Sequence, residues 1–236
     1  MGDPIARARA IHAALNGQSD DEDRAEAPES RQISLPDVPP PAVDLVETLA
    51  LRRSGYAYAQ RPLELAKLSA LLRFAVGVQR FVPAYGVDEH PLGMAPSAGG
   101  LRCGRTYVVV REASGLSPGV YRYDAVRHAL AERSTGDPTS GLSGVYLQPE
   151  FADRVPVSLA LTTRLDVAFA KYPLRHYRTL HVDTGIAVQN LYLVGTALGL
   201  SCCAVAGYYD NALAELLGVP REELPVMLFA VGHPAR

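Results

Sequence analysis

Lysine is scarce in this chain, and one of the two lysines stands where it could do chemistry. Lys67 and Lys171 are accompanied by 21 arginines, and Lys171 is followed directly by Tyr172. An ammonium group can lose its proton when it is desolvated, whereas a guanidinium group cannot. We therefore interpret Lys171 and Tyr172 as candidate catalytic residues of a site that moves a proton. Composition alone also allows an exposed lysine beside a half-buried tyrosine.

A second group of residues could hold an anion. Arg52, Arg53 and Ser54 end a segment with helical spacing. Two guanidinium groups and a hydroxyl can bind a phosphate through charge-assisted hydrogen bonds. The alternative is a solvated helix end, where positive side chains interact favourably with the helix dipole.

Two stretches of small residues could let the backbone approach a flat ligand closely. They contain Pro96, Ser97, Ala98, Gly99 and Gly100 in the first case, and Ala206 and Gly207 in the second. The first stretch is not a nucleotide phosphate loop, because the Walker lysine and the G-x-G-x-x-G spacing are missing. A plain turn and tight core packing are the respective alternatives.

The cysteine and histidine residues do not indicate a metal site. The three cysteines, Cys103, Cys202 and Cys203, are odd in number and show no metal-ligand spacing with the scattered histidines. We expect Cys202 and Cys203 to be buried and unreactive. This cysteine usage favours a reduced, cytoplasmic protein without a bound metal.

The periodicity of apolar residues predicts the elements that position these candidates. Helices are expected over residues 43–52, 63–76, 175–200 and 211–217, and strands over residues 106–110, 119–123, 129–132, 155–163, 202–208 and 226–231. Turn signals between the short strands indicate antiparallel neighbours. Helices before and after a mostly antiparallel central sheet give an α+β architecture.

The first 41 residues differ in composition from the rest of the chain. Residues 4–15 could form a short helix. Residues 17–41 hold seven acidic residues, two arginines and a run of three prolines, which predicts a mobile linker. We therefore expect a partly disordered segment, residues 1–41, followed by one domain, residues 42–236.

Composition and charge exclude several classes of partner. The chain has 236 residues, 48% of them apolar, and a net charge of −2, so it can bury a core but offers no basic stripe for nucleic acid. Residues 184–209 are uncharged, but polar residues and glycines interrupt the run and no basic cluster flanks it. We expect a fully buried helix leading into a strand, and no membrane span or signal peptide.

Several segments, taken in order, resemble the flavin-dependent nitroreductase superfamily, and within it the SagB-type dehydrogenases that oxidise thiazolines and oxazolines to thiazoles and oxazoles. They are RRSGYAYAQRPLELAKLSALLRFAVGV, PSAGGLRCGRTYVVV, GLSPGVYRYDAVRHAL, KYPLRHYRTLHVDTGIAVQNLYLVGTALGL, AVAGYYDNALAELLGV and PVMLFAVGHP. The resemblance runs from about residue 43 to residue 236. The Lys171–Tyr172 pair selects the azoline dehydrogenase branch.

The resemblance implies a nitroreductase-like fold with FMN at the interface of a homodimer. Arg52, Arg53 and Ser54 would contact the phosphate and ribityl side, residues 96–100 would line the ring, and Ala206 and Gly207 would add backbone contacts. The long helix over residues 175–200 would form the core of the dimer.

The implied reaction removes two hydrogens from an azoline ring of a modified peptide, one as a proton and one as a hydride to the flavin. We expect Lys171, with a pKa lowered in an apolar pocket, to be the base or to set its charge. Tyr172 would orient the substrate or share the proton. The peptide would come from a cyclodehydratase, or on a carrier protein of a nonribosomal assembly line.

Two other functions remain open. A NAD(P)H-dependent nitro or quinone reductase would use the same fold and flavin, with Lys171 and Tyr172 incidental. A non-catalytic scaffold subunit of a biosynthetic complex would keep the fold with a degenerate flavin site. Tyr56 and Gly100, which depart from the common family pattern, favour this third possibility.

Overall fold

The computed structural model describes residues 3–16 and 31–235, so most of the predicted acidic linker lies outside the described residues. The helices are α1 (Pro4–Asn16), α2 (Leu45–Leu51), α3 (Leu65–Val76), α4 (Thr139–Val145), α5 (Glu150–Arg154), α6 (Leu165–Phe169), α7 (Tyr177–Ala197) and α8 (Asp210–Leu217). The strands are β1 (Gln32–Ser34), β2 (Leu63–Glu64), β3 (Val78–Ala84), β4 (Val87–Gly93), β5 (Gly104–Val110), β6 (Ala113–Ser114), β7 (Gly119–Asp124), β8 (Ala129–Thr135), β9 (Val157–Arg164), β10 (Ser201–Val205) and β11 (Glu223–Gly232).

A seven-stranded antiparallel sheet with the order β1-β8-β7-β5-β9-β11-β10 lies at the centre of the fold. Val108 of β5 is opposite Leu159 of β9, which is opposite Phe229 of β11, and all three join one apolar layer with α3 and α7. The next residues, Val109 and Ala160, point to the other layer, with α4, α5 and α8. Successive strand residues face opposite sides. The predicted α+β sheet flanked by helices is confirmed.

Helix α7 packs on the sheet along one face. Its buried residues are Leu180, Thr184, Val188, Leu191, Tyr192 and Gly195. The expectation of burial on all sides, made for the uncharged run that begins at residue 184, is wrong for the single chain, because Gly185 and Gln189 are exposed. The helix ends before Gly199, which adopts a left-handed φ of +67°. Within the described part of the chain, no helix has the length and apolar character needed to cross a bilayer.

The N-terminal region contributes to the folded structure at two places. The short helix expected there is confirmed as α1, whose Ala8 side chain is fully buried in a cluster with residues of α6. The expectation of a mobile linker up to residue 41 is wrong for β1, which pairs with β8 and places Ile33 opposite Leu130. Ile33 and the buried Leu35 supply the apolar surface that orders this strand.

A separate hairpin formed by β3 and β4 lies outside the central sheet. Its turn residues, Tyr85 and Gly86, have φ of +53° and +77°. Two positive φ values are typical of the type I′ turn of tight hairpins. The hairpin carries Tyr85 and His90 to the candidate site.

Candidate active site

Lys171 lies in the turn after α6 and reaches the β3–β4 hairpin. The turn is closed by Tyr172 N, which donates to Ala168 O over 2.9 Å. Lys171 Nζ donates to Tyr85 Oη over 2.6 Å, and it lies 4.2 Å from the ring centroid of Tyr85 and 5.0 Å from that of Tyr172. Two aromatic faces and a phenol oxygen therefore hold an exposed ammonium group.

The surroundings of Lys171 raise its pKa above the ordinary value of 10.5, chiefly because its charged form donates to the Tyr85 hydroxyl. The expected lowering of this pKa in an apolar pocket is therefore wrong for the single chain. The side chain is exposed, so no large desolvation opposes the charge. At neutral pH Lys171 is an ammonium ion.

The loop of residues 96–100 meets the Lys171–Tyr172 pair at Gly99. Gly99 has a φ of +61°, and a Cβ atom there would overlap Tyr172 Oη and lie 3.3 Å from Lys171 Nζ. Tyr85 Oη donates to Gly99 O. The Tyr172 ring stacks on His176, with centroids 4.0 Å apart. The structure thus brings the predicted catalytic pair and the predicted ring-lining loop together.

Two further side chains fix this loop. Asp183 of α7 accepts from Ala98 N over 3.0 Å, and burial raises the pKa of Asp183. His90 Nε2 donates to Gly100 O over 2.8 Å, and the His90 ring lies 4.9 Å from that of Tyr85. We did not identify Tyr85, His90 and Asp183 from the sequence. The Tyr-Gly turn between short β-rich runs could have indicated the hairpin, but not what it contacts.

Arg52 and Ser54 form a second cluster, with Tyr192 of α7. The Arg52 guanidinium lies 5.2 Å from the Tyr192 ring centroid, and Ser54 Oγ lies 2.9 Å from Tyr192 Oη. Tyr192 Oη also accepts from Ala204 N of β10 over 2.7 Å. Arg53 is exposed, and its Nε donates to Leu51 O at the end of α2 over 3.3 Å. Neither arginine is paired with a carboxylate in residues 3–16 and 31–235.

Ala206 and Gly207 line a cavity of about 260 Å³ together with Tyr56, whose position follows the arginine cluster in sequence. Cys203 also lines this cavity. Burial raises the pKa of its thiol and raises that of Cys202 to about 12, in agreement with the expectation of buried, unreactive cysteines. No cluster of three or more His, Cys, Asp or Glu side chains suited to a metal occurs in the described portions of the chain.

The two clusters contact different parts of α7. Asp183 supports the Lys171 cluster and Tyr192 supports the arginine cluster. Their separation of nine residues corresponds to about 13 Å along the axis and about two and a half turns, which places them on opposite sides of the helix. The predicted ring-lining residues Pro96 and Ser97 and the pair Ala206–Gly207 line different cavities of the described chain.

Comparison with known proteins identifies the family. The family model described as "Nitroreductase family" matches residues 49–233. A protein of Methanocaldococcus jannaschii described as a nitroreductase is 32% identical over 205 residues, which are 87% of this chain and 98% of the relative. The chain belongs to the nitroreductase family. This family consists of flavin-binding oxidoreductases.

Solved structures share the fold. A crystal structure from Anabaena variabilis described as a nitroreductase has a TM-score of 0.73 and 27% identity; the match covers 87% of this chain but 42% of that one, less than half its length. A chain of the Escherichia coli microcin synthetase McbBCD complex, solved with truncated pro-MccB17 bound, has a TM-score of 0.72 at 20% identity, covering 100% and 95%. A Desulfovibrio desulfuricans nitroreductase-family structure in complex with FMN has a TM-score of 0.56 at 17% identity, covering 81% and 87%.

The residues present fit a flavin mononucleotide. Arg52 and Arg53 offer guanidinium groups without a carboxylate partner in the described ranges, which suits a phosphate. Pro96, Ser97 and Gly100 of the predicted ring-lining loop line a cavity of about 250 Å³, which offers space beside this loop for part of a flat ring system. The guanidinium groups of one cluster suit the phosphate of a flavin mononucleotide, and the loop of the other suits its ring.

Proposed function

We propose that this protein is an FMN-dependent dehydrogenase that oxidises azoline rings of modified peptides to azoles in natural-product biosynthesis. The observation that carries the proposal is the contact of Lys171 and Tyr172 with the loop of residues 96–100. One of two lysines in an arginine-rich chain lies 3.3 Å from the position of a Gly99 Cβ, beside the predicted flavin-lining backbone.

Both clusters have a part in holding FMN. Arg52, Arg53 and Ser54 bind the phosphate and ribityl side, residues 96–100 line the ring, and Ala206 and Gly207 add backbone contacts. When bound, FMN supplies the acceptor for the hydride that leaves the azoline. The FMN complex of the Desulfovibrio desulfuricans structure supports this choice of cofactor.

The chain itself handles the proton and the developing charge. Negative charge develops on the azoline as its ring carbon loses a proton, and the Lys171 ammonium stabilises that charge. The raised pKa of Lys171 favours this role over that of the base. His90 donates from Nε2 to Gly100 O, which leaves Nδ1 with a free lone pair to receive the ring proton. Tyr172, stacked on His176, orients the azoline.

A second copy of the chain completes the site. The Lys171 and Arg52 clusters lie on opposite sides of α7, so one copy supplies the first and its partner supplies the second. Helix α2, which leads into Arg52, presents Leu45 and Val46 to solvent with 62% and 72% of their surfaces exposed. Neighbouring apolar side chains with this much exposed surface favour burial of α2 against another protein surface.

The substrate class follows from the proposed reaction. A thiazoline or oxazoline must first be made in a peptide, so we expect a cyclodehydratase or a carrier protein as a further partner. The shared fold with a chain of the microcin synthetase complex, solved with truncated pro-MccB17 bound, is in keeping with a peptide substrate.

A NAD(P)H-dependent nitro or quinone reductase is the second candidate, favoured by the 32% identical relative described as a nitroreductase. An anaerobic absorption spectrum separates the two. We expect the purified protein to carry FMN that a thiazoline peptide bleaches and NADPH leaves oxidised. Rapid bleaching by NADPH alone would identify the reductase, and protein that neither carries nor binds flavin would favour the scaffold.

A further inference from the structure

A cavity of about 270 Å³ is lined by Leu101 and Arg102, the two residues that follow the loop of residues 96–100. A smaller cavity of about 80 Å³ adjoins it, and Arg102 and Arg105 line both. The larger cavity is also lined by Arg122, Asp124 and His90. Three arginines and one aspartate thus line one space, where positively charged residues outnumber negatively charged ones.

Some of the charged groups around this cavity already have an oppositely charged partner. Arg105 donates to Glu223 over 2.8 Å, and Asp124 accepts from the Arg127 guanidinium over 2.8 Å. Arg102 differs from them. Its guanidinium makes no hydrogen bond or ion pair with the residues that the structure describes, and only its backbone N is bonded, to Ser97 Oγ over 3.3 Å.

The state of Arg102 is unfavourable without a counter-ion. Burial lowers the pKa of Arg102, because the charged form has lost water and the attraction of Asp124 offsets that loss only in part. A guanidinium nevertheless stays protonated in proteins, so the site retains a partly desolvated positive charge. Arg102 also adopts a φ of +53°, a conformation that side-chain-bearing residues rarely take. Strained positions of this kind are concentrated at functional sites.

The larger cavity adjoins the proposed catalytic cluster. His90 lines it, and the His90 ring lies 4.9 Å from the ring of Tyr85, whose hydroxyl accepts from Lys171 Nζ. A molecule in this cavity therefore lies close to the groups that we assign to proton transfer. Its negative group would pair with Arg102, and its reacting ring would contact His90 and Lys171.

We propose that Arg102 is a substrate-binding residue that pairs with an oxyanion, a carboxylate or a phosphate, carried by the substrate. Arginine binds either group through two parallel hydrogen bonds. The inference rests on the proposed function for the identity of the substrate as an azoline. The preferred substrate is then an azoline with a carboxylate near its ring, at a peptide C-terminus or on a neighbouring acidic residue.

Calorimetric titration of the holoprotein tests the proposal. The probes are 2-methylthiazoline-4-carboxylate, its 4-carboxamide and inorganic phosphate. We expect the carboxylate to bind wild type at least tenfold more tightly than Arg102→Met, and the carboxamide to bind both equally. Arg102→Lys should lie between them, because it keeps the charge but loses the two-bond geometry. Arg154→Met, an exposed arginine in α5, is the matched control and should behave as wild type.

The outcomes distinguish a carboxylate from a phosphate as the bound anion. They also distinguish failure of the anion site from failure of the proposed function. Phosphate binding that depends on Arg102, without carboxylate binding, would assign the site to a phosphorylated substrate. Equal carboxylate affinities of wild type and Arg102→Met would overturn the anion site. A lower Tm for Arg102→Met would also overturn it, because removing an unpaired charge should not destabilise the fold. Arg102-dependent binding without azoline oxidation would reject the proposed function alone, and oxidation with an unchanged KM in Arg102→Met would reject the anion site alone.

Discussion

The Lys171 and Arg52 clusters both contact α7, but the positive charges of the two clusters have different interaction partners. The Lys171 ammonium is held within the chain by the Tyr85 hydroxyl and two aromatic rings. Arg52 and Arg53 have no carboxylate partner in the described ranges, and Arg52 rests on an aromatic ring instead. The first cluster is therefore organised before any ligand binds. In the described ranges no carboxylate supplies a counter-charge to the second, which suits that cluster to bind an anion.

This difference assigns separate tasks to the two regions. A preorganised cation beside a rigid loop can stabilise charge that develops during a reaction. Unpaired guanidinium groups at a helix end can hold a phosphate. Substitutions in the Arg52 cluster should therefore change cofactor affinity, whereas substitutions in the Lys171 cluster should change turnover.

The largest expected effect is on FMN affinity in the double variant Arg52→Met with Arg53→Met. Each charge-assisted hydrogen bond to the phosphate contributes about 1.5–3 kcal/mol, so the Kd for FMN should rise by about 10² to 10⁴. Fluorescence titration with FMN measures this. Arg154→Met serves as the control for removal of an exposed arginine, and an unchanged Kd in the double variant would place the phosphate elsewhere.

The next effect is on turnover in Lys171→Met. Loss of an electrostatic stabiliser should lower kcat by about 10² to 10³, while the FMN content stays that of wild type. Steady-state oxidation of a thiazoline peptide, with the flavin spectrum recorded in parallel, measures both. Lys67→Met removes the other lysine and is the matched control. Full turnover in Lys171→Met would remove the residue from the mechanism.

The pH dependence of the same reaction distinguishes the two roles considered for Lys171. Its pKa is raised above 10.5, so the ammonium form persists as the pH rises to that value and is lost above it. As a cation, Lys171 should sustain activity through the neutral and mildly alkaline range, and activity should fall only above about pH 10.5. Activity that instead increases toward high pH would identify the neutral amine as the base.

A smaller effect compares one glycine from each region. Gly99→Ala introduces a side chain at a φ of +61°, where it overlaps Tyr172 Oη. A left-handed conformation costs about 1–2 kcal/mol, so the Tm should fall by about 2–8 °C. Gly55→Ala meets mainly Ser201 Oγ, which can rotate away, so its Tm should fall less. Thermal unfolding of both variants measures the difference, and equal shifts would argue against strain at Gly99.

The smallest effect is expected for Asp183→Asn. Burial raises the pKa of Asp183, so the folded chain holds that proton more tightly than the unfolded chain. The contribution of Asp183 to stability is thus greatest at acidic pH and falls as the pH rises through the folded-state pKa. At pH 7 the Asn variant should have a Tm equal to or slightly above that of wild type, with the gain absent at pH 3. A clearly lower Tm at pH 7 would show that the Ala98 bond needs the charge.

The sequence predicts the central fold better than it predicts the site. Continuous apolar runs identify the strands that contain Val108 and Leu159, because both faces of these strands are buried. The β3–β4 hairpin lacks that pattern, since its residues are mostly polar or exposed. Tyr85 and His90 were missed for this reason. The pKa of Lys171 depends on Tyr85, which is 86 residues away in the chain, and no local pattern encodes that contact.

A mixed dimer tests most directly the central claim that each active site joins the Lys171 cluster of one copy to the Arg52 cluster of the other. Lys171→Met protein and the Arg52→Met with Arg53→Met protein, each nearly inactive alone, are co-expressed with different affinity tags and the mixed dimer is purified. In that dimer one site contains only wild-type residues, so we predict about half of wild-type activity and one tightly bound FMN per two chains. A mixed dimer as inactive as its two parents would show that both clusters serve the same site within one chain, and would contradict the account.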